Sequence, residues 1–326
     1  MREGSARTEF QRSLDISRIY RKAPQTAMPR TEMGHMLRIL SWNIGRGYDP
    51  ERIADTLGVL RPDVVCLQEV DWNNVRTGSR DVLQILADRT NMLGLFSTEF
   101  VELPSPGRTR RLAGGGVTGN ALLCRVGPTA CFRIELPSAL DWEHDADNMK
   151  VPARVRGWLR RERRIGRRFG LAAEFEIGGA KVVTVSVHLE DKFGGVTNRF
   201  HQYQAVLAAI DACGRNAAAT SIVAGDFNTF DSRLARFRSG DTDATALGRP
   251  AGVAEAAWWK RALLPATGFA DPFELDAWTF RIPLVFRAKL DWILLKNGGV
   301  RDCGIGSFSS SDHRPIWADI EVANAS

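Results

Sequence analysis

Residues 171–189, LAAEFEIGGAKVVTVSVHL, constrain this chain more than any other stretch. Two β-rich runs flank a Gly-Gly pair, the signal of an antiparallel hairpin with a tight turn. The chain opens differently. LRILSW (37–42) reads as a strand, PERIADTLGVL (50–60) as a helix entered through proline, and DVVCLQ (63–68) as a second strand, which makes a β-α-β unit. One fold has to hold both hairpins and crossover helices. That points to an α/β, four-layer sandwich of two packed mixed β-sheets flanked by helices.

Further along, the pattern predicts a helix over about 80–93, a Gly-rich loop AGGGVTGN (113–120) and a strand ALLCRV (121–126). A helix over 197–213, a strand entering SIVAGDFNTF (221–230), a polar stretch 231–252 and a helix over 253–264 come next. Strands KLDWILL (289–295), VRDCGI (300–305) and PIWADIEV (315–322) complete the series. No repeat or low-complexity linker interrupts it, so residues 37–326 are expected to form a single domain, with an Arg-rich insertion near 137–168. Residues 1–36, with scattered charge and a second Met at 36, are expected to be a flexible extension or an over-long start.

With 326 residues and 44% hydrophobic content, the chain has enough apolar material for a large core. Its apolar runs fall well short of the roughly 20 residues that cross a bilayer, and no secretory pattern opens it, so a cytoplasmic monomer is expected. The cysteines (Cys66, Cys124, Cys131, Cys213 and Cys303) form no CxxC pair, which suits reduced core thiols and argues against zinc.

Chemistry-bearing residues sit at strand ends. Asn43 follows LRILSW, Glu69 follows VVCLQ, His188 lies near the end of VVTVSVHL, and Asp226 and Asn228 follow SIVAG. Asp291 is inside KLDWILL, and Asp312 and His313 precede RPIWADI. Any one of these is ordinary as a cap or turn; Asp226 and Asn228 alone read as a turn, because both side chains bond their own backbone. Asp291 is different, since an unpaired charge in an apolar strand is costly and demands a partner. Oxygen donors without thiolates suit a hard cation such as Mg²⁺, with Glu69 the first choice of ligand. A histidine held by a carboxylate, His313 with Asp291, suits a base, and a neutral Asn228 with a protonated His188 suits donation to a phosphoryl group.

These segments resemble the endonuclease/exonuclease/phosphatase superfamily, the deoxyribonuclease-I-like fold. The matching pieces are LSWNIGRG, VVCLQEVD, GNALLCR with Asn120, VSVHLE, VAGDFNTF, AKLDWILL and SSDHRPI, in the family's order across 37–322. The resemblance implies divalent-metal hydrolysis of phosphoesters, with Mg²⁺ or Mn²⁺ at Asn43 and Glu69 and Asp312 close by. It implies that Asn228 and His188 hold the scissile phosphate. The water is activated by His313 paired with Asp291, or else by Asp226; His313 as base and Asp226 as orienter is the expectation carried forward.

Substrate is less constrained, because one fold serves many phosphoesters. VSVHLE places histidine where the abasic-site branch tends to have tyrosine, and is closer to the deoxyribonuclease, sphingomyelinase and tyrosyl-phosphodiesterase branches. Between Lys150 and Arg168 nine basic residues face one acid, Glu162, enough to set the chain's net charge of +6. A solvated helix face is the plain account of that run. As a binding surface it suits nucleic acid, with Asn120, Arg160, Arg164 and Arg167 facing substrate and Trp158 and Phe169 available for stacking. Anionic lipid headgroups are the alternative partner. DAWTF (276–280) is given no catalytic role.

Overall fold

The computed structural model describes residues 18–20, 36–104, 108–138, 141–143, 163–191, 194–213, 219–229, 247–250, 252–282, 284 and 286–323. Its strands are β1 (Arg18–Tyr20), β2 (Met36–Arg46), β3 (Val64–Trp72), β4 (Leu93–Glu102), β5 (Val117–Cys124), β6 (Ala130–Glu135), β7 (Arg164–Gly166) and β8 (Phe169–Ile177). Next come β9 (Ala180–His188), β10 (Thr220–Asp226), β11 (Phe280–Ile282), β12 (Phe286–Ala288), β13 (Asp291–Lys296), β14 (Gly298–Ile305) and β15 (Ile316–Val322). One sheet runs β1-β4-β5-β3-β2-β15-β14, with β7 also on β4; the other runs β13-β10-β9-β8-β6. Both are mixed, since β2–β3 and β9–β10 are parallel while the remaining neighbours are antiparallel.

Strand alternation makes the layers. In β2, Ile39 points toward the second sheet and Leu40 and Trp42 toward the helices; in β10, Ile222 and Ala224 point inward while Val223 points out. The inter-sheet core gathers Ile39, Cys66, Leu122, Leu171, Ile222, Ile293 and Ile316. On one outer face the helices Pro50–Leu60 and Val82–Thr90 pack Ile53, Leu57, Leu83 and Leu86 onto Leu40, Val65 and Leu67. On the other, the helix Gly195–Cys213 and the Trp258–Trp259 segment pack against Val185, Val223 and Trp292. The result is helix, sheet, sheet, helix, as the sequence pattern predicts.

The first helix has the expected bounds: Asp49 caps its N-terminus by accepting from Arg52 N–H, and proline sits in its first turn. The second is shorter than 80–93, because Asn91 adopts a left-handed cap at φ 53°. The segment after this helix has no element in the sequence pattern, yet LGLFSTEFVE is a full strand, β4, and the Gly-rich loop gives way at Val117 to β5. The helix over 253–264 is Glu255–Trp258, one π turn at Trp259–Leu263 and Leu264–Thr267, because Pro265 has no N–H to continue the regular ladder.

Within the expected N-terminal extension, Arg18–Tyr20 pairs with Phe96–Gly94 of β4. The rest of 1–35, the polar residues 231–246, Trp158 and Arg160 lie outside the described residues. All five cysteines are free. Among the described residues no helix is long and apolar enough to cross a membrane.

Gly225 pairs with Val187 of the neighbouring strand β9. A Cβ there would lie 1.8 Å from the Val187 carbonyl oxygen, so Gly225→Ala should cost about 2 kcal/mol or more in urea unfolding. An unchanged midpoint would show that the two strands separate without penalty.

Candidate active site

At one end of the sandwich the inward rows change from apolar to polar. Asn43 continues the row of Leu37 and Ile39; Asp226 continues Ile222 and Ala224; Asp291 begins the row of Ile293 and Leu295. Register then aligns neighbours: Asp226 is the Cα partner of Asp291 on one side and of His188 on the other. Three ionisable residues thus stand side by side on one face of one sheet, opposite Asn43 of the other.

The hydrogen bonds tie them together. Asn43 Nδ2 donates to Asp226 Oδ2 at 3.0 Å and to Glu69 Oε1 at 3.3 Å. His188 Nε2 lies 3.4 Å from Asp226 Oδ2 and His313 Nε2 lies 3.8 Å from it. His313 Nδ1 donates to Asp291 Oδ2 at 2.8 Å, and Asp291 N–H is held by Thr279 Oγ1 at 3.1 Å. Asn228, at φ 50°, gives its N–H to Asp226 Oδ1 at 2.9 Å and its side-chain amide to the Leu189 carbonyl at 2.9 Å. The turn expected of Asp226 and Asn228 is present, and it is the turn that presents the carboxylate.

Two irregularities aim further groups. Register slips between Leu67 and Val70 put Glu69 at φ 55°, a left-handed conformation that costs a non-glycine residue about 1–2 kcal/mol. A matching slip between Asn43 and Arg46 leaves Arg46 at φ 78°. Both side chains line the same cavity of about 650 Å³ as His188, Asp226, Asn228, Asp312 and His313. Strain of this kind gathers at functional sites, where the surrounding structure enforces it.

Charge is distributed unevenly. Burial works against charge on His313, but Asp291 outweighs it and raises the imidazole to about 10. His188 goes the other way: burial, with Arg168 and His313 nearby, drives it well below its ordinary value. Its Nδ1 accepts from an Arg168 guanidinium N–H at 2.9 Å, which leaves the proton on Nε2. Burial, reinforced by Asp291, pushes Asp226 up to about 7 against the pull of His313. Glu69 stays below its usual range, because Arg46, Arg168, His313 and Asn43 together outweigh its burial. These directions bear on the roles expected of the two histidines. A lowered His188 favours the neutral imidazole with Nε2–H as donor, and a raised His313 favours the imidazolium, a direction that favours Asp226, the alternative base, as proton acceptor.

Glu69, Asp226 and Asp312 contribute carboxylates to the cavity, and no thiolate is near, a donor set that fits a hard divalent cation. Buried Asp291 Oδ1 lacks a hydrogen-bond partner, and ligand atoms of Asp226, Asp291 and His313 lie within 4.8 Å of one another. Glu69 and Asp312 line the same cavity and offer further oxygen donors. Asn43 fits the ligand role less directly, since its Oδ1 accepts Gly45 N–H at 3.0 Å and its NH₂ faces the acids.

The substrate-side expectations divide. Arg164 lines the cavity, its guanidinium 3.9 Å from the centroids of both Phe100 and Trp142. Arg167 turns away to Glu135 at 3.1 Å, because β7 ends at Gly166. Asn120 is fully buried and does not line the cavity; it donates to Glu99 Oε1 and the Phe169 carbonyl, so it supports the site from below. Residues that the sequence pattern did not single out complete the wall. Arg168 bonds Glu99 Oε2 at 3.0 Å and sits 3.7 Å from Glu190. Glu102 takes Arg108 at 2.9 Å, Arg76 at 3.2 Å and Arg46 at 3.5 Å, and these arginines overcome burial to hold it down at about 2. Acids inside an apolar strand were the available signal, in FSTEFVE as in KLDWILL. In DAWTF, Thr279 and Phe280 are supports: Phe280 bridges to His313 with ring centroids 4.9 Å apart.

Nuclear magnetic resonance titration of the metal-free protein should show His313 charged up to about pH 10 and His188 neutral well below pH 6.5. Asp291→Asn removes the group that raises His313, so its titration should move down. A His313 midpoint unmoved by that substitution would break the assignment.

Comparison with known proteins gives a consistent picture. The profile of the Endonuclease/Exonuclease/phosphatase family matches residues 40–313. No curated protein matches the chain in sequence. Among solved structures, an endonuclease/exonuclease/phosphatase from Beutenbergia cavernae DSM 12333 is similar at TM-score 0.61 and 19% identity, covering 89% of this chain and 72% of its own. The human Nocturnin catalytic domain with bound sulfate anion is similar at 0.54 and 18%, covering 88% and 93%. D. rerio TDP2 complexed with single strand DNA product is similar at 0.50 and 19%, covering 87% and 98%. At these identities the likeness is one of fold.

Proposed function

From the premise that this chain belongs to the endonuclease/exonuclease/phosphatase family, we propose that it is a divalent-metal-dependent phosphodiesterase that hydrolyses nucleic-acid phosphodiester bonds. The observation that carries this reading is the row His188–Asp226–Asp291, closed by His313 and faced by Asn43 and Glu69, at the floor of one cavity. Glu69, with Asp312 and Asn43 alongside, would hold Mg²⁺ or Mn²⁺, which when bound supplies Lewis-acid polarisation of a phosphoryl oxygen.

The chain's own residues do the rest. Asp226 takes the proton of the attacking water as the new P–O bond forms and the bond to the leaving oxygen breaks. Its raised pKa makes it a fitting acceptor near neutrality. His188 Nε2–H and the His313 imidazolium, both within 4 Å of Asp226 Oδ2, donate to the phosphoryl oxygens as charge grows there. Asp291 fixes the His313 ring and keeps it charged; Thr279 fixes Asp291. Asn228 holds Asp226 through its backbone N–H, and the hydrogen of its side-chain amide not given to Leu189 is free for the substrate.

Nucleic acid is favoured by the arginines of the cavity wall and is consistent with the DNA product that D. rerio TDP2 holds on the same fold. Single-stranded DNA and bis-p-nitrophenyl phosphate should be hydrolysed with Mg²⁺ or Mn²⁺ and spared with chelator. Asp226→Asn and His313→Ala should each lower kcat by about 10²-fold or more. Absence of metal-dependent turnover on both substrates would sink the proposal.

The pH profile supplies a second check. Activity needs Asp226 deprotonated and His313 protonated, so the rate should rise with pH through about 7 and fall through about 10. A bound cation stabilises the carboxylate and moves the acidic limb lower. A rate that falls between pH 6 and 8 would reverse the assigned roles.

A further inference from the structure

Hydrolysis of one phosphodiester uses the Asp226 end of the cavity and leaves its other wall unexplained. Four arginines line the cavity, Arg46, Arg111, Arg164 and Arg168. Arg46 and Arg168 are anchored by the buried acids Glu102 and Glu99. Arg164 is 9% exposed and lies between the Phe100 and Trp142 rings. Such guanidinium groups are fixed before any ligand arrives, so an anion that meets them loses little to their ordering. Arg111, by contrast, is exposed on the short turn Arg110–Leu112.

Topology separates the two ends. Glu69 is on β3, and Arg164 on β7 lies three strands across, through β5 and β4. At a strand spacing of about 4.8 Å, that is about 14 Å along the sheet. The backbones at the two ends are thus far enough apart for separate phosphates. Glu69, Asp226 and Asp312 gather with His313 at one end, where Arg46 reaches Glu69 at 3.9 Å and Arg168 bonds His188 at 2.9 Å, so Arg111 and Arg164 are the arginines left for the other end.

We infer that Arg111 and Arg164 form a subsite for a second phosphate of the same substrate, and that the enzyme acts next to the phosphorylated end of a nucleotide strand. This rests on the phosphodiesterase reading above. A terminal phosphate carries about −1.5 to −2 at neutral pH against −1 for an internal diester, and arginine binds it through paired N–H donors. That extra charge is what the wall complements.

The test compares a dinucleoside monophosphate with the same dinucleotide carrying a terminal phosphate at either end. The wild-type protein should prefer a phosphorylated form in kcat/KM by at least about tenfold, mostly through KM. In Arg111→Ser and in Arg164→Met the preference should collapse toward 1. A merely structural defect lowers both substrates and keeps the ratio. A ratio near 1 in the wild type, or one retained in both variants, overturns the inference. So does faster turnover of a small sugar bisphosphate than of either dinucleotide. Should Arg164→Met fail to fold by circular dichroism, the exposed Arg111→Ser carries the test. If neither dinucleotide is hydrolysed, single-stranded DNA and bis-p-nitrophenyl phosphate decide the phosphodiesterase reading, and calorimetric titration of pyrophosphate into chelator-treated protein decides the subsite alone. Binding weakened about tenfold or more by Arg111→Ser sustains it, and unchanged binding rejects it.

Discussion

Two sheets packed face to face have one place where inward side chains can be polar without being sealed in, and that is where the rows run out. The whole site depends on this constraint. Deeper in the same rows stand Ile39, Ile222, Ala224 and Ile293, and a carboxylate among them would be stranded. At the rim, Asp226 and Asp291 are still buried at 2% and 0% exposure, so each needs a partner, and the neighbouring strand and the loop before β15 supply His188 and His313. Burial raises the stakes of each contact, because the same low local dielectric that strengthens a pair penalises an orphan.

That pairing divides the protonation states between two histidines of nearly equal burial. His313 faces Asp291 and keeps its proton; His188 faces Arg168 and gives its second proton up. Arg168 is in turn held by Glu99, which burial pushes up to about 7 despite the arginine. Beneath it Glu102 gathers Arg46, Arg76 and Arg108. The fold therefore invests buried acids of β4 in fixing cations, and buried acids of β10 and β13 in fixing a proton.

Much of this was legible in the sequence, for a definite reason. Asn43, Glu69, His188, Asp226, Asn228, Asp291, Asp312 and His313 interrupt or end apolar runs, and all of them line the cavity or bond to residues that do. The four-layer arrangement was legible from hairpin and crossover signals together. Two things were not. LGLFSTEFVE comes after a helix without a strong break and mixes apolar and polar residues, so β4 was hidden, and with it the acids that anchor the arginine wall. Arg164, Arg167 and Arg168 look alike in a basic run. Only the three-residue pairing of β7 with β4 decides that Arg164 and Arg168 turn in and Arg167 out.

The position of β15 has a consequence for timing. Although it comes late in the chain, it lies between β2 and β14, so the first long strand of the domain waits for almost the last to be synthesised before its edge is covered. The loop that enters β15 also carries His313. A nascent chain still missing this segment has an unfinished sheet and lacks His313, so its polar rim cannot be completed until β15 inserts.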